Sequence, residues 1–260
     1  MIKILSRYLF YKLFAPHRHG FGVHSPFVFH LVSEVLPLKS DPVQKGFKKW
    51  RKELLHNKRI LQTIDSGAGS KVHRCKGRTV GQVAGKSSIP NKYGRILYAL
   101  GKEFQPASII ELGTGIGIST VYLAKACPRS VVISIDADKE KLSFAAQEFE
   151  QQEIKNVTLI HGKFSKLLPD ILKDSNHPLM VFIDGDHSYS GTLEYYAEIK
   201  KYARPDTFVV FDDIRWSKDM EKAWREIKED PATIINIDLF FMGIVFFREG
   251  ITKQNFVINF

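Results

Sequence analysis

From residue 90 onward, short β-rich runs alternate with helix-length stretches, and this rhythm restricts what the chain can fold into. The runs are SIIELG (108–113), VVISID (131–136), VTLIHG (157–162), LMVFID (179–184) and TFVVFDD (207–213). Helices are expected from Ser119, over 138–152, and over stretches near 164–174, 190–203 and 217–229. Such alternation gives an α/β fold, a mostly parallel sheet with helices on both faces. Two further runs, TIINID (233–238) and MGIVFF (242–247), lie too close together for a helical crossover. They are expected to pair as an antiparallel hairpin at the sheet edge. Ligands of such a sheet bind beyond the carboxyl ends of its strands, so the acidic and glycine-rich strand ends converge on one candidate crevice.

Charge marks a second division. Residues 1–90 hold 17 Lys+Arg against 4 Asp+Glu, whereas the whole chain has a net charge of +10. The expected organisation is a basic N-terminal extension, residues 1–89, followed by a near-neutral domain, residues 90–260. The basic stretch KGFKKWRKELLHNKR suits a helix over 43–59, read first as a solvated face and second as a surface for an anionic partner such as RNA. The histidines of the extension, among them His17, His19, His24 and His73, follow no ligand spacing. SGAGS (66–70) lacks the Gly-Lys-Ser/Thr ending of a phosphate loop and reads as a connection. Cys75 and Cys127 match no metal or redox spacing. No apolar run reaches the ~20 residues of a membrane span, and the opening residues do not form a convincing signal peptide, so a cytoplasmic location is expected.

The first strand ends in ELGTGIGIST. Gly113, Gly115 and Gly117 let the backbone turn sharply and approach a ligand closely. A dinucleotide fingerprint needs Gly-x-Gly-x-x-Gly, but position 118 is Ile, which disfavours an NAD-dependent oxidoreductase. The next strand ends in Asp136, placed to accept hydrogen bonds from ribose hydroxyls.

At these residues the sequence resembles the class I S-adenosylmethionine-dependent methyltransferases, over about residues 90–250. The resemblance implies a Rossmann-like, seven-stranded, mostly parallel sheet whose last strand is antiparallel. It implies S-adenosylmethionine as cofactor, with Glu111, Gly113, Thr114, Gly115 and Gly117 around the methionine part. Asp136 and Ala137 would lie at the ribose, Gly162 and Lys163 along the adenine, and Asp184 would complete the set.

In that family's strand order the fourth and fifth strands are neighbours, which brings Asp184, Asp212 and Asp213 together. Three adjacent carboxylates repel one another unless a proton or cation intervenes, and an all-oxygen set favours a hard ion such as Mg²⁺. Helix capping by Asp213 is the structural alternative. The set resembles that of the metal-dependent O-methyltransferases of catechol, caffeoyl-CoA and macrocin type. The first two carry Asp-Asn where this chain has Asp212-Asp213, and a lysine where it has His187. His187 and Asp186 are therefore both candidates for the catalytic base. The expected reaction is metal-assisted methylation of a hydroxyl on a small molecule or sugar. RNA recognition through the basic segment is the alternative, and a homodimer is the candidate assembly. Trp216, Phe240, Phe241 and Met242 are candidates for the acceptor wall, with core packing as their other reading.

Overall fold

The computed structural model describes residues 2–18, 20–37, 42–62 and 77–259. His19, His73, Cys75 and SGAGS lie outside the described residues. In chain order the first elements are α1 (Ile2–Phe14), β1 (His17–Arg18), α2 (Pro26–His30), α3 (Pro42–His56), β2 (Ile60–Leu61), β3 (Arg78–Thr79), α4 (Val80–Lys86) and α5 (Asn91–Phe104). The alternating part follows as β4 (Ser108–Leu112), α6 (Ile118–Ala126), β5 (Val131–Asp136), α7 (Lys139–Gln151), β6 (Val157–His161) and α8 (Phe164–Lys173). The chain continues with β7 (Leu179–Ile183), α9 (Tyr189–Tyr202), β8 (Phe208–Phe211), α10 (Lys218–Glu229), β9 (Ile235–Asp238), β10 (Gly243–Phe246) and β11 (Gln254–Asn259). Among the described residues, no helix is long and apolar enough to cross a membrane.

Two compact units emerge, Leu38–Leu167 and the pair of segments Met1–Pro37 and Leu168–Phe260. In the first, β5 runs parallel to β4 on one side and β6 on the other, with Glu111 opposite Ser134 and Asp136 opposite His161. Helices α5 and α6 pack closely because Gly94 has no side chain: a Cβ there would sit 2.6 Å from the Tyr122 ring. The basic helix α3 docks through its apolar side. Phe47, Trp50 and Leu54 are buried while Lys45, Lys48, Lys49 and Lys52 stay exposed, which is the solvated-face reading. The Trp50 Nε1–H donates to Glu148 at 2.7 Å, and the Phe47 and Tyr122 ring centroids are 4.1 Å apart.

In the second unit β7 and β8 are parallel, and β10 is antiparallel to both β8 and β9. The hairpin expected from the short connection forms, but it is not the edge. β10 lies inside the sheet, β11 pairs in parallel with β9, and β1 pairs in parallel with β11. The reason lies in the last run, QNFVIN, whose alternation buries Phe256 and Ile258 and gives β9 a partner. Helix α1 is fastened to this edge: the Tyr11 hydroxyl donates to the Ile258 carbonyl, and Lys12 Nζ donates to Asn259 at 3.1 Å. The compact units thus cut across residue 89, with residues before it packed into each of them.

Candidate active site

The turn after β4 is built by backbone geometry. Gly113, Gly115 and Gly117 adopt φ of 111°, 53° and 84°, and Gly117 caps α6. A Cβ at Gly117 would collide with Phe149 at 2.7 Å, so that glycine serves packing. A Cβ at Gly115 would meet nothing within 4 Å, so the turn presents open space there. The Asp136 carboxylate holds this turn in place. Its Oδ2 accepts from the Gly115 amide at 2.8 Å and its Oδ1 from the Asp138 amide at 2.9 Å. A carboxylate offers about four acceptor positions, so Asp136 retains capacity for a ligand's hydroxyls. Asp138 is buried and caps α7 by accepting from the Glu140 and Lys141 amides. The spacing Asp-x-Asp before a helix carried that capping signal.

Around Asp136 the other expected residues divide. The Gly162 amide donates to the Asp136 carbonyl at 3.0 Å, and the His161 Nε2 lies 3.1 Å from the Ala137 carbonyl. Lys163 is exposed at the start of α8. Thr114 instead turns inward: it is buried, with Oγ1 2.6 Å from the Ser134 hydroxyl. This pair adjoins Glu111, whose Oε2 accepts from Ser134 and Thr120. Ser134 was not singled out in the sequence because it lies outside the glycine motif, and Thr120, the last residue of ELGTGIGIST, follows the glycines as an ordinary helix residue.

Glu111 is fully buried, and desolvation pushes its pKa from 4.5 up to about 7, against the hydrogen bonds from Ser119, Ser134 and Thr120 that favour the anion. The folded value exceeds the unfolded one, so the associated stability is fully present below about 4.5 and is lost as pH rises through about 7. The loss is about 3 kcal/mol. Glu111→Gln keeps the shape and an acceptor oxygen but cannot ionise. Urea unfolding of both proteins across this range is expected to show the variant gaining about 3 kcal/mol on the wild type from acid to alkaline pH. A constant difference would mean Glu111 titrates normally.

The acids at the ends of β7 and β8 do come together. The Asp184 side chain adjoins that of Asp212. Burial, and after it the charge of Asp213, pushes Asp212 up to about 8; the Asp213 amide and the adjoining Asp184 side chain oppose the rise. Asp213 is also raised by burial, against the nearby His187. The His187 Nε2 stands 3.8 Å from Asp184 Oδ1 and 3.9 Å from Asp213 Oδ2. Asp184, Asp213 and the His187 imidazole thus meet at the ends of β7 and β8. Among the described residues, no group of three or more His, Cys, Asp or Glu is drawn up to hold a metal ion. Asp186 and Asp213 have φ of 49° and 52°, a left-handed region uncommon for residues other than glycine.

Asp186 is already engaged. Its Oδ2 accepts from the Tyr195 hydroxyl at 2.8 Å, and burial with this bond holds the Tyr195 pKa well above its ordinary value. Tyr195 lies one helix further on, where nothing in the local sequence links it to Asp186. The aromatic candidates also divide: Phe240 and Met242 are core residues, whereas Trp216 is 62% exposed. Behind the Asp213 turn, Arg215 grips Asp238 with both guanidinium nitrogens, Nη1 to Oδ1 at 2.6 Å and Nη2 to Oδ2 at 2.7 Å.

The strands, the glycine turn and the acid at the end of β5 define a Rossmann-like α/β fold, which several solved structures share. An SAH-bound methyltransferase of Podospora anserina matches 88% of this chain and 98% of its own, with TM-score 0.59 and 11% identity. An O-methyltransferase of Streptomyces achromogenes, involved in tomaymycin synthesis and solved with SAM, matches 85% and 95%, with TM-score 0.55 and 18% identity. Residues 110–214 match the family described as a methyltransferase domain. That match covers less than half of the chain. A catechol O-methyltransferase of Niastella koreensis is 29% identical over 130 residues, which are 49% of this chain and 58% of that one. A ribosomal RNA small subunit methyltransferase G of Lactococcus lactis subsp. cremoris is 33% identical over 82 residues, 32% of each. The chain thus spans less than two thirds of the length of these curated relatives.

Proposed function

We propose that the protein is an S-adenosylmethionine-dependent O-methyltransferase acting on a hydroxyl of a small molecule, with a divalent cation, Mg²⁺ by the hardness of its ligands, held by Asp184, Asp212 and Asp213. One observation carries the cofactor assignment: the open side of the turn at Gly115, fixed by the carboxylate of Asp136. Backbone amides and a free acceptor edge in one place suit the amino acid and ribose parts of the cofactor. Glu111, Gly113, Gly117, Ala137, Gly162 and Lys163 belong to the same set. When bound, the cofactor supplies a methyl group on a sulfonium.

The acceptor's proton is assigned to His187. Its Nε2 stands 3.8 Å from Asp184 Oδ1 and 3.9 Å from Asp213 Oδ2, at the strand ends where the acceptor would be held. Asp186 is the weaker candidate because Tyr195 already donates to its Oδ2. The cation assignment is supported by three acids gathered at adjoining strand ends, where burial disfavours the charge of Asp212 and Asp213. When bound, such an ion lowers the pKa of a coordinated hydroxyl.

The test uses labelled methyl donor and a cell extract, with and without EDTA. Transfer is expected to stop on chelation and to return with Mg²⁺, and Asp212→Asn is expected to slow it about tenfold or more. His187→Ala is expected to slow it by about two orders of magnitude while leaving metal affinity unchanged. Undiminished transfer after rigorous metal removal would show that the acids serve another purpose. Absence of any labelled product from an extract containing small hydroxylated metabolites would count against the acceptor class.

A further inference from the structure

Ile183 ends β7 and Tyr189 opens α9, so Asp184, Gly185, Asp186, His187 and Ser188 make the whole connection between them. Ser188 caps the helix: its hydroxyl accepts from the Gly191 amide at 3.1 Å, and its own amide donates to the Asp186 carbonyl. Asp186 is bent into the left-handed region, a conformation that a residue with a side chain keeps only where its surroundings hold it. Those surroundings belong to α9. The Tyr195 hydroxyl donates to Asp186 Oδ2 at 2.8 Å, and Tyr195 is itself only 6% exposed. Gly191 lies one turn earlier on the same helix face and leaves the carboxylate its room, because a Cβ there would overlap Asp186 Oδ2. Alanine is otherwise favoured over glycine within a helix, so helix formation does not account for Gly191 and the carboxylate does.

We infer that Tyr195 and Gly191 are positioning residues: through the Asp186 carboxylate they fix the turn that sets the His187 ring against the ends of β7 and β8. The chain of contacts is short. Tyr195 is packed in the core and anchors Asp186, and His187 follows directly, with its backbone fixed by Asp186 on one side and by the Ser188 cap on the other. Only rotation about χ1 and χ2 is then left to the ring, whose Nε2 stands 3.8 Å from Asp184 and 3.9 Å from Asp213. A displacement of ~1 Å at a reacting group can cost roughly a hundredfold in rate, so the turn matters to transfer as well as to folding. The consequence for transfer rests on the reading of His187 as the group that takes the acceptor's proton; the placement of the ring does not. Asp186 thereby has a task of its own, which leaves the proton to its neighbour.

Magnetic resonance of the full chain labelled in its histidine rings tests the placement without any methyl acceptor, with His187 assigned as the signal lost in His187→Ala. Tyr195→Phe keeps the aromatic ring in the core and removes only the hydroxyl, and is expected to split or broaden the His187 signal. Should that variant fail to fold, Gly191→Ala gives the same reading, since it keeps the helix and takes the carboxylate's room. Asp186→Asn retains an acceptor oxygen for Tyr195 and tolerates a left-handed backbone, so its His187 signal is expected to stay single and sharp. In the labelled-donor assay Tyr195→Phe is expected to slow transfer about tenfold or more with S-adenosylhomocysteine affinity unchanged, and to cause no further loss where His187→Ala is already present. An unchanged His187 signal in Tyr195→Phe would overturn the inference. So would a loss from Tyr195→Phe as large in the His187→Ala protein as in the wild type, because Tyr195 would then act elsewhere. Undiminished transfer by His187→Ala would instead overturn the reading of His187 as base, and the ring signals would still decide the positioning.

Discussion

Asp136→Ala is expected to weaken binding of S-adenosylhomocysteine by about two to three orders of magnitude, measured calorimetrically against the wild type. The carboxylate does two things at once. It holds the Gly115 and Asp138 amides at 2.8 and 2.9 Å, and it leaves acceptor capacity at the open side of the turn. Hydrogen bonds to a charged group contribute about 1.5–3 kcal/mol each, so loss of the two backbone anchors alone approaches the expected effect. Asp136→Asn separates the two roles. It retains one acceptor oxygen for the Gly115 amide, and so should bind more tightly than the alanine variant and less tightly than the wild type. Equal affinity in all three proteins would remove Asp136 from the cofactor site.

The second large effect concerns stability. Arg215→Met is expected to destabilise the protein by about 3–5 kcal/mol in urea unfolding, because it strands a buried carboxylate without its cation. Asp238 is 1% exposed, and besides Arg215 it accepts from the neutral Trp224 Nε1–H at 3.0 Å and the Phe240 amide at 3.0 Å. Arg215 also donates to the Phe240 carbonyl at 2.8 Å and lies over the Phe240 ring. Adding Asp238→Asn to Arg215→Met removes the stranded charge and keeps an acceptor for Phe240, so the double variant should recover a large part of the loss. If the double variant is as unstable as Arg215→Met, the guanidinium acts through packing. The same pair braces the turn in which the Trp216 amide donates to the Asp213 carbonyl at 2.8 Å, so methyl transfer should fall along with stability.

What the sequence revealed and what it concealed have physical causes. The five parallel-type runs and their helices were legible because a buried strand needs a continuous apolar stretch, as in Val181, Phe182 and Ile183, and a crossover helix needs length. The glycine turn and Asp136 were legible because their spacing follows from one strand-turn-helix-strand unit. β1 escaped because two residues carry no period. β11 does alternate, yet its role depends on the free edge of β9, which only the assembled sheet supplies. The charge change near residue 90 describes what faces water. Packing follows the apolar side of the same helices, so Trp50 and Phe47 join α3 to α7 and α6. Within the candidate site, the meeting of Asp184, Asp212 and Asp213 was readable as a set of strand ends. The inward turn of Thr114 and the Tyr195 bond to Asp186 depend on burial and on packing between elements.

The bond from Tyr11 to the Ile258 carbonyl joins residues 247 apart along the chain, and β1 pairs with β11 across a similar interval. During synthesis on the ribosome, α1 emerges long before its docking edge. Residues 38–167 have every segment of their compact unit available once about two thirds of the chain has been made. The opening helix, with its phenylalanines and leucines, must wait until the final strand clears the exit tunnel. Through that interval its apolar residues are open to chaperones, and closing so long a loop is a late step with a large entropic cost. A nascent chain stalled before residue 254 should therefore show protease resistance across 77–167 while cleavage within residues 2–18 remains rapid, and release of the full chain should protect that segment.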